Sequence, residues 1–106
     1  MADNIVLTEA VYYILLSLLE PLHGYGIMQN VSKISKGRVN LAAGTLYGAI
    51  NNMLEKGWIK GLPGEQNARR KEYKITESGK TVLENEFERL RELVRNGRRI
   101  IEEEIK

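Results

Sequence analysis

Apolar residues recur along the first half of the chain at the spacing of three short helices. The first is predicted to begin after Thr8, a favoured N-cap residue, and to stop before Pro21, because proline disfavours helical geometry in the residue before it. The second is predicted to end at Gly37 and the third at Gly57. The predicted inward positions are Val11, Ile14, Leu15, Leu18 and Leu19, then Ile27, Met28, Val31 and Ile34, then Leu46, Ile50, Met53 and Leu54.

After residue 57 the apolar period changes from that of a helix to that of a strand. Residues 58–62 and 71–75 are two short strand candidates, and the residues between them, PGEQNARR, are rich in turn formers. The sequence therefore predicts a hairpin with a long tip, which carries Arg69, Arg70 and Lys71 at the tip and on its return.

The rest of the chain reads as one long helix, capped by Thr76 or Ser78 and running almost to Lys106. At 1.5 Å per residue, about 29 residues would make it roughly 43 Å long, too long for the three preceding helices to cover. Its apolar seam is therefore predicted to pack on a second copy of the chain. With steps of four and three, the seam is Leu83, Phe87, Leu90, Val94, Gly97 and Ile101. Gly97 either allows close approach of another helix or marks a kink.

Three helices, a two-stranded hairpin and a further helix are the order of a winged helix-turn-helix with a dimerisation helix appended. The predicted fold class is mainly α with a small β-hairpin. The DNA-binding domain is assigned to residues 1–76 and the C-terminal dimerisation helix to residues 77–106.

Positive charge is distributed unevenly along the chain. The 106 residues carry a formal net charge of only +2, yet residues 57–76 hold five cations against two anions, so attraction to a polyanion would be directional. The chain has no cysteine, and its longest apolar run is too short to span a bilayer, which takes about 20 residues. A cytoplasmic protein without a membrane partner is predicted.

The residues needed for catalysis or metal binding are scarce. His23 is the only histidine, whereas a metal site normally needs three or four ligands. With no cysteine and no second histidine, neither a nucleophile–base pair nor a cofactor site is predicted. The glutamates of the last helix alternate with arginines, as on a solvated face or an interhelical fringe. The sequence predicts a protein that is not an enzyme.

Candidate DNA contacts lie on the third helix, at the hairpin tip and at the start of the second helix. Asparagine can pair with adenine edges, although an ordinary solvated face would look the same, and Tyr47 could instead brace the hairpin. The three tip cations would face phosphates or simply solubilise a loop. Near Tyr25 a helix N-terminus could anchor phosphate, or His23 could cap the helix while Tyr25 packs. The predicted DNA-binding set is Tyr25, Thr45, Tyr47, Gly48, Asn51, Asn52, Arg69, Arg70 and Lys71.

Three sequence blocks resemble the PadR family of transcriptional regulators. They are HGYGI at residues 23–27, GTLYGAINNMLEKGWI at residues 44–59 and RRKEYKITESGK at residues 69–80. The resemblance covers roughly residues 8–80 with these blocks in the family's order. The single C-terminal helix is similar to that of the short subfamily.

This resemblance implies a homodimeric winged-helix repressor that binds double-stranded DNA. It also implies a possible response to a small aromatic or hydrophobic effector, as is frequent in the family. Two departures from the family pattern concern the sites. Alanine stands at 42 and 43 where members often carry a serine cap, so the third helix starts more loosely or is capped by Asn40. Multidrug-binding members place tryptophan on the last helix, where this chain has Phe87 and Leu90.

Three functional hypotheses follow. The leading one is a sequence-specific repressor that binds a palindromic operator as a homodimer. The second is a sensor that binds a planar hydrophobe at the dimer interface, near Phe87 and Leu90. The third is a winged helix that binds another protein.

Overall fold

A computed structural model describes residues 5–63 and 71–105 of the chain. In chain order its elements are α1 (Glu9–Ser17), β1 (Leu22–His23), α2 (Gly24–Ile34), α3 (Ala43–Glu55), β2 (Ile59–Leu62), β3 (Glu72–Ile75) and α4 (Glu77–Ile105). The predicted fold class, mainly α with a small hairpin and a long final helix, is confirmed. None of the helices in the described ranges is long and apolar enough to cross a membrane.

Helices α1 to α3 enclose the core through the apolar stripes that the sequence predicts. The Thr8 hydroxyl accepts a hydrogen bond from the Val11 amide at 3.2 Å, which confirms the predicted N-cap. Two predicted inward residues are exposed instead. Leu19 lies beyond the last residue of α1, and Ile34 is the last residue of α2. Fully buried side chains in the three helices and their ends are Ile14, Leu15, Leu18, Ile27, Val31, Leu46 and Ile50.

The sheet has three antiparallel strands in the order β1-β3-β2. Strands β2 and β3 form the predicted hairpin, with Ile59 opposite Ile75, and both side chains are buried in the core. Strand β1 was not predicted, because its two residues are too few to show an alternation. It pairs with the other edge of β3, where Leu22 lies opposite Tyr73.

Helix α3 begins without a side-chain cap. Its N-cap residue is Ala42, which makes no side-chain hydrogen bond, and the side-chain amide of Asn40 donates instead to the Gly37 carbonyl at 2.8 Å. Of the two alternatives for this start, the one in which Asn40 caps the helix is therefore wrong. The first amides of α3 are left free of side-chain acceptors from the N-cap position.

The first turn of α4 is fixed to the end of the α3–β2 connection. The Thr76 hydroxyl accepts from the Gly79 amide at 3.0 Å and donates to the Gly57 carbonyl at 2.6 Å. The Thr76 amide donates to the Trp58 carbonyl at 2.9 Å. A Cβ atom at Gly79 would collide with that same Trp58 carbonyl oxygen, so only glycine allows this approach. We call this contact region, formed by Gly57, Trp58, Thr76 and Gly79, the α4 joint.

Beyond the α4 joint the helix projects from the body of the protein. It is 29 residues long, and the longest dimension of the molecule is 60 Å. Of the buried apolar side chains described, Leu83 alone belongs to α4. Most of the helix therefore lies outside the core.

A buried carboxylate joins α4 to the segment that precedes α1. Glu86 is only 2% exposed, so it does not belong to the solvated face that the alternation of glutamate with arginine predicted. Its carboxylate accepts from the Leu7 amide at 3.0 Å and from two nitrogens of Arg89 at 2.6 and 2.8 Å. The Arg89 hydrogen bonds and then the Leu7 amide lower the pKa of Glu86 below its ordinary value, against the opposing effect of burial.

Replacing Gly79 by alanine should destabilise the protein by about 1–3 kcal/mol, because the added methyl group forces the α4 joint apart. Gly44→Ala is the matched control, since a Cβ at Gly44 meets no atom within 4 Å. It should raise stability by up to about 1 kcal/mol through helix propensity. Urea unfolding at one fixed protein concentration measures both, and equal midpoints for the two variants would contradict the structural role of Gly79.

Replacing Glu86 by glutamine should cost about 1–3 kcal/mol at neutral pH, because charge-assisted hydrogen bonds are removed from a buried position. Glu88→Gln, which removes an exposed pairing with Arg91, should change stability by less than about 0.5 kcal/mol.

The deficit of the Glu86→Gln variant should depend on pH. The folded-state pKa of Glu86 lies below its unfolded value, so its stabilising effect is complete above the ordinary glutamate pKa of about 4.3 and is lost as pH falls through the lower folded value. The gap to the parent protein should therefore shrink on acidification below about pH 4. A gap that stays constant down to pH 2 would show that the charge of Glu86 is not the cause.

Candidate nucleic-acid interface

One continuous face of α3 is open to solvent along the whole helix. Its inward residues, Leu46, Ile50 and Met53, are buried in the core. The residues of the opposite face recur every three or four positions, a spacing that places their side chains above one another on the helix. Its exposed members are Gly44, Thr45, Gly48, Asn51, Asn52 and Glu55.

This exposed face is polar, narrow and almost uncharged. Thr45, Asn51 and Asn52 offer a hydroxyl and two amides, and the only ionisable group, Glu55, lies at the last residue of the helix. A Cβ at Gly44 or Gly48 would meet no atom within 4 Å, so glycine there keeps the surface low without serving the protein's own packing. A helix with such a face can enter a major groove and present amides to base edges.

At the start of α2 the structure confirms that His23 caps the helix and shows that the predicted packing of Tyr25 is wrong. The Nδ1 atom of His23 accepts from the Gly26 amide at 3.1 Å, so His23 is the N-cap of α2. Tyr25 does not pack in the core, since it is 63% exposed. Its side chain is therefore available for contact outside the chain.

Tyr47 is both a surface residue and a brace. It is 45% exposed, yet a Cβ at Gly24 would collide with its hydroxyl, which places the Tyr47 ring directly on the first residue of α2. Burial, and secondly the neighbouring Tyr47, raise the pKa of Tyr73 in β3. Tyr47 thus contacts α2 and lies close to the hairpin.

The hairpin carries cations beyond those singled out at its tip. Lys71 lies across Gly61, because a Cβ at Gly61 would come within 3.3 Å of the Lys71 ammonium nitrogen. Arg69 and Arg70 lie outside the described residues. Lys60 and Lys74 are direct cross-strand partners, a pairing that the sequence pattern did not predict and that only the hairpin register reveals.

Two like charges directly opposite each other destabilise a hairpin. No anionic side chain forms an ion pair with either Lys60 or Lys74 within residues 5–63 and 71–105. An external polyanion would remove this repulsion. We call Lys60, Lys71 and Lys74 the hairpin cations.

The predicted dimerisation residues divide into two groups. Leu83 is 6% exposed and packs in the core of its own chain, so its burial needs no partner. Between residues 87 and 101 the apolar side chains are exposed, except that of Leu90, which is half-buried. The exposed ones are Phe87, Leu93, Val94, Ile100 and Ile101, between 49% and 61% exposed.

Two of these exposed residues, Phe87 and Val94, line an open groove that runs along α4 beside Tyr12 of α1. Its volume is about 700 Å³. Its apolar and aromatic lining consists of Tyr12 and Val94 together with Phe87 and Leu90, the two predicted effector contacts. Four arginines and a glutamate complete the lining, namely Arg91, Arg95, Arg98, Arg99 and Glu102. We call this feature the arginine groove.

A metal centre has no counterpart in the described part of the chain. No three or more histidine, aspartate or glutamate side chains converge there in a way that could hold an ion.

The model of the transcriptional regulator PadR-like family matches residues 14–85, which is more than half of the chain and includes α2, α3, the hairpin and the start of α4. A comparison with curated proteins found no match.

Solved structures with the same fold include three that bear on the site. A PadR family transcription regulator from Clostridium difficile is 27% identical, with a TM-score of 0.68 over 86% of this chain and 97% of that one. A transcriptional regulator from Clostridium thermocellum is 26% identical, with a TM-score of 0.70 over 92% of each chain. Bacillus subtilis PadR, determined in complex with operator DNA, is 24% identical, with a TM-score of 0.58 over 71% of this chain and 45% of that one.

Proposed function

The chain belongs to the PadR-like family of transcriptional regulators, and we propose that it represses transcription as a two-fold dimer bound to a palindromic operator. Family membership confirms the resemblance noted in the sequence. It also makes the chain a transcription regulator and not an enzyme, as predicted.

The observation that carries DNA binding is the open, polar face of α3, together with the hairpin cations. In a winged helix-turn-helix such a helix reads the major groove while the hairpin follows the backbone. Asn51 and Asn52 would pair with base edges, and Thr45 would reach a base or a phosphate. Structural likeness to Bacillus subtilis PadR, whose structure contains operator DNA, agrees with this arrangement at the level of the fold.

The phosphate contacts are assigned to the hairpin and to the start of α2. Lys60, Lys71 and Lys74 would each gain from a nearby phosphate, and Arg69 and Arg70 are proposed to extend the same contact from the hairpin tip. Tyr25 presents a hydroxyl beside the N-terminus of α2, where backbone amides favour anions. These contacts position the protein without reading sequence.

Dimerisation is assigned to α4. Exposed apolar residues run from Phe87 to Ile101 on a helix that the core of its own chain does not cover. In a two-fold dimer the two α3 helices would meet successive major grooves about 34 Å apart or a multiple of that distance. Occupation of an operator by such a dimer blocks other proteins from the same DNA, and repression is therefore the regulatory outcome that we propose.

The two other hypotheses are an effector site on α4 and a winged helix that binds another protein. The effector site at Phe87 and Leu90 stays a prediction, since both residues line the arginine groove and would serve equally in a dimer interface. A winged helix that binds protein instead of DNA would leave the repulsion between Lys60 and Lys74 without an obvious anion, so DNA is favoured.

Selection of bound sequences from random duplex DNA should yield a palindromic consensus. Its half-sites should lie about 34 Å apart, or a multiple, because the two-fold dimer presents two copies of α3. A single asymmetric site would contradict DNA binding by a two-fold dimer. Absence of any DNA binding at low salt would instead favour the protein-binding alternative.

Substitutions in α3 and in the hairpin should have different signatures on that consensus. Asn51→Ala with Asn52→Ala should reduce discrimination between consensus and random DNA by about 1–3 kcal/mol for each base that is no longer read. Arg69→Ala, Arg70→Ala and Lys71→Ala together should weaken binding to both DNAs. They should also flatten the log–log salt dependence by about 0.9 for each phosphate that is no longer neutralised.

Lys33→Ala provides the matched control, since it removes an exposed cation from the last turn of α2, at the opposite end of that helix from Tyr25. It should leave both affinities and the salt dependence unchanged. Fluorescence anisotropy over a salt series measures all three variants. If the hairpin variant behaved like Lys33→Ala, the hairpin would have no role in phosphate contact.

A further inference from the structure

We propose that a small pocket beside α3 binds a short aliphatic carboxylate, and that the bound acid competes with DNA for Asn52. The first part stands on the pocket alone. The competition rests on the proposed role of α3 in reading DNA.

The pocket is lined by the segment that precedes α1, by α3 and by Trp58. Residues 5–8 and Val11 contribute from the first part of the chain. The contributing residues of α3 recur at steps of three and four, as one stripe of a helix does. They are Ala49, Asn52, Met53 and Lys56. We call this feature the Trp58 pocket.

The segment before α1 is held in place by two hydrogen bonds. The Leu7 amide donates to the buried carboxylate of Glu86 at 3.0 Å. The Thr8 hydroxyl accepts from the Val11 amide at 3.2 Å. Because the segment is already ordered, a ligand would not have to order it on binding, and this lowers the cost of association.

The volume of the Trp58 pocket limits the size of its ligand. It is about 220 Å³, whereas a cavity of about 150 Å³ holds one benzene molecule. In proportion, the Trp58 pocket has room for roughly nine non-hydrogen atoms. Drug-sized ligands occupy pockets of about 300–1,000 Å³ and would not fit.

The apolar residues of the pocket are not fully covered by their own chain. Ile5 is 42% exposed and Val6 is 66% exposed, and both belong to the lining together with Leu7 and Met53. Removal of apolar surface from water is favourable in proportion to its area. A ligand with a hydrocarbon body would therefore be stabilised by covering these side chains.

The single aromatic residue of the lining is already engaged within the chain. The Lys56 ammonium lies over the Trp58 ring, 4.8 Å from the ring centroid, and Trp58 is only 8% exposed. Little of the indole surface is left for stacking against a ring of the ligand. Since the other apolar side chains of the lining are not aromatic, an aliphatic body is favoured over an aromatic one.

The polar groups of the Trp58 pocket favour an anion. Its lining contains the cation Lys56 and no carboxylate. Across the described ranges Lys56 forms no ion pair. The Thr8 hydroxyl still has its hydrogen to donate, and the Asn52 amide supplies further donors. A carboxylate accepts from groups of all three kinds, most strongly from an ammonium.

Asn52 belongs both to the pocket lining and to the exposed face of α3. In the proposed DNA complex its side-chain amide pairs with a base edge. A carboxylate that accepts from the same amide removes that contact. The acid and operator DNA would then weaken each other's binding by the same factor.

Titration with sodium 4-methylpentanoate, followed by two-dimensional NMR, tests the pocket. Saturable shifts with a Kd of about 1 mM or tighter are expected. They should be largest at the Trp58 indole N–H, the Asn52 side-chain amide and the Ala49 backbone amide. Acetate and 4-methylpentanamide should each bind at least about tenfold more weakly, because acetate lacks the hydrocarbon body and the amide lacks the charge.

Two results of this titration would overturn the proposal. Shifts that are largest at Phe87 and Leu90 would place the acid in the arginine groove. Tighter binding of benzoate than of 4-methylpentanoate would show that the pocket is not selective for an aliphatic body.

A change at Lys56 tests the charge. Lys56→Gln keeps a side chain of similar length but removes the cation, so it should weaken binding of the acid at least about tenfold. Lys33→Gln is the matched control, since it removes an exposed cation that does not line the pocket. It should bind the acid as the parent does. Equal affinities of the two variants would overturn the proposal.

Fluorescence anisotropy with consensus and random DNA tests the competition. Saturating 4-methylpentanoate should weaken consensus binding at least about fivefold relative to the same concentration of sodium acetate, which controls for salt. Binding to random DNA should not change. Asn52→Ala should abolish the effect, whereas Asn51→Ala should retain it, because Asn51 does not line the pocket. An effect that persists in Asn52→Ala would overturn the competition.

Failure of this inference is distinguishable from failure of the proposed function. If the acid shifts the pocket resonances but consensus affinity does not change, the competition is wrong and the proposed function stands. If the protein binds no DNA at low salt, the proposed function and the competition both fail, and the NMR titration alone decides whether the Trp58 pocket binds the acid. Absence of saturable shifts at the pocket overturns the inference whatever the result with DNA.

Discussion

The position of α4 relative to α3 depends on the α4 joint. Thr76 and Gly79 hold the first turn of α4 against the backbone of Gly57 and Trp58, which directly follow α3. The helix that reads DNA in our proposal and the helix that would hold two copies together are thus connected through a few backbone contacts. In the proposed dimer these contacts would set the distance between the two copies of α3, and that distance would have to match the spacing of DNA grooves.

One pair of charges is placed against local preference. Lys60 faces Lys74 across the hairpin. Natural sequences are locally consistent in most places, and exceptions concentrate at functional sites. In our interpretation this lysine pair is placed to contact phosphate.

The sequence was sufficient to predict those features of the fold that are determined by neighbouring residues. The caps at Thr8 and Thr76 and the change of period after residue 57 are local signals, and the structure follows them. Tertiary contacts explain what was missed. A heptad-like seam does not reveal whether Leu83 packs in its own chain or on a partner. An alternation of glutamate with arginine likewise does not distinguish buried Glu86 from its exposed neighbours, because Glu86 packs near Leu7 and accepts a hydrogen bond from its amide, far away in the sequence. Strand β1 and the Lys60–Lys74 pair depend on register.

Because α4 is long, a small change in its tilt at the α4 joint moves its far end by a large distance. A rod of 29 residues is about 43 Å long at 1.5 Å per residue, so a tilt of about 5° at its base moves the far end by nearly 4 Å. That displacement approaches the rise of one helical turn and would shift the register of any helix seated against it. Glu86, two turns beyond the joint, gives the rod a second anchor point on the body. A long helix keeps one direction relative to the body only while both attachment points are intact. The loss of either would make the separation of the two α3 helices in the proposed dimer variable.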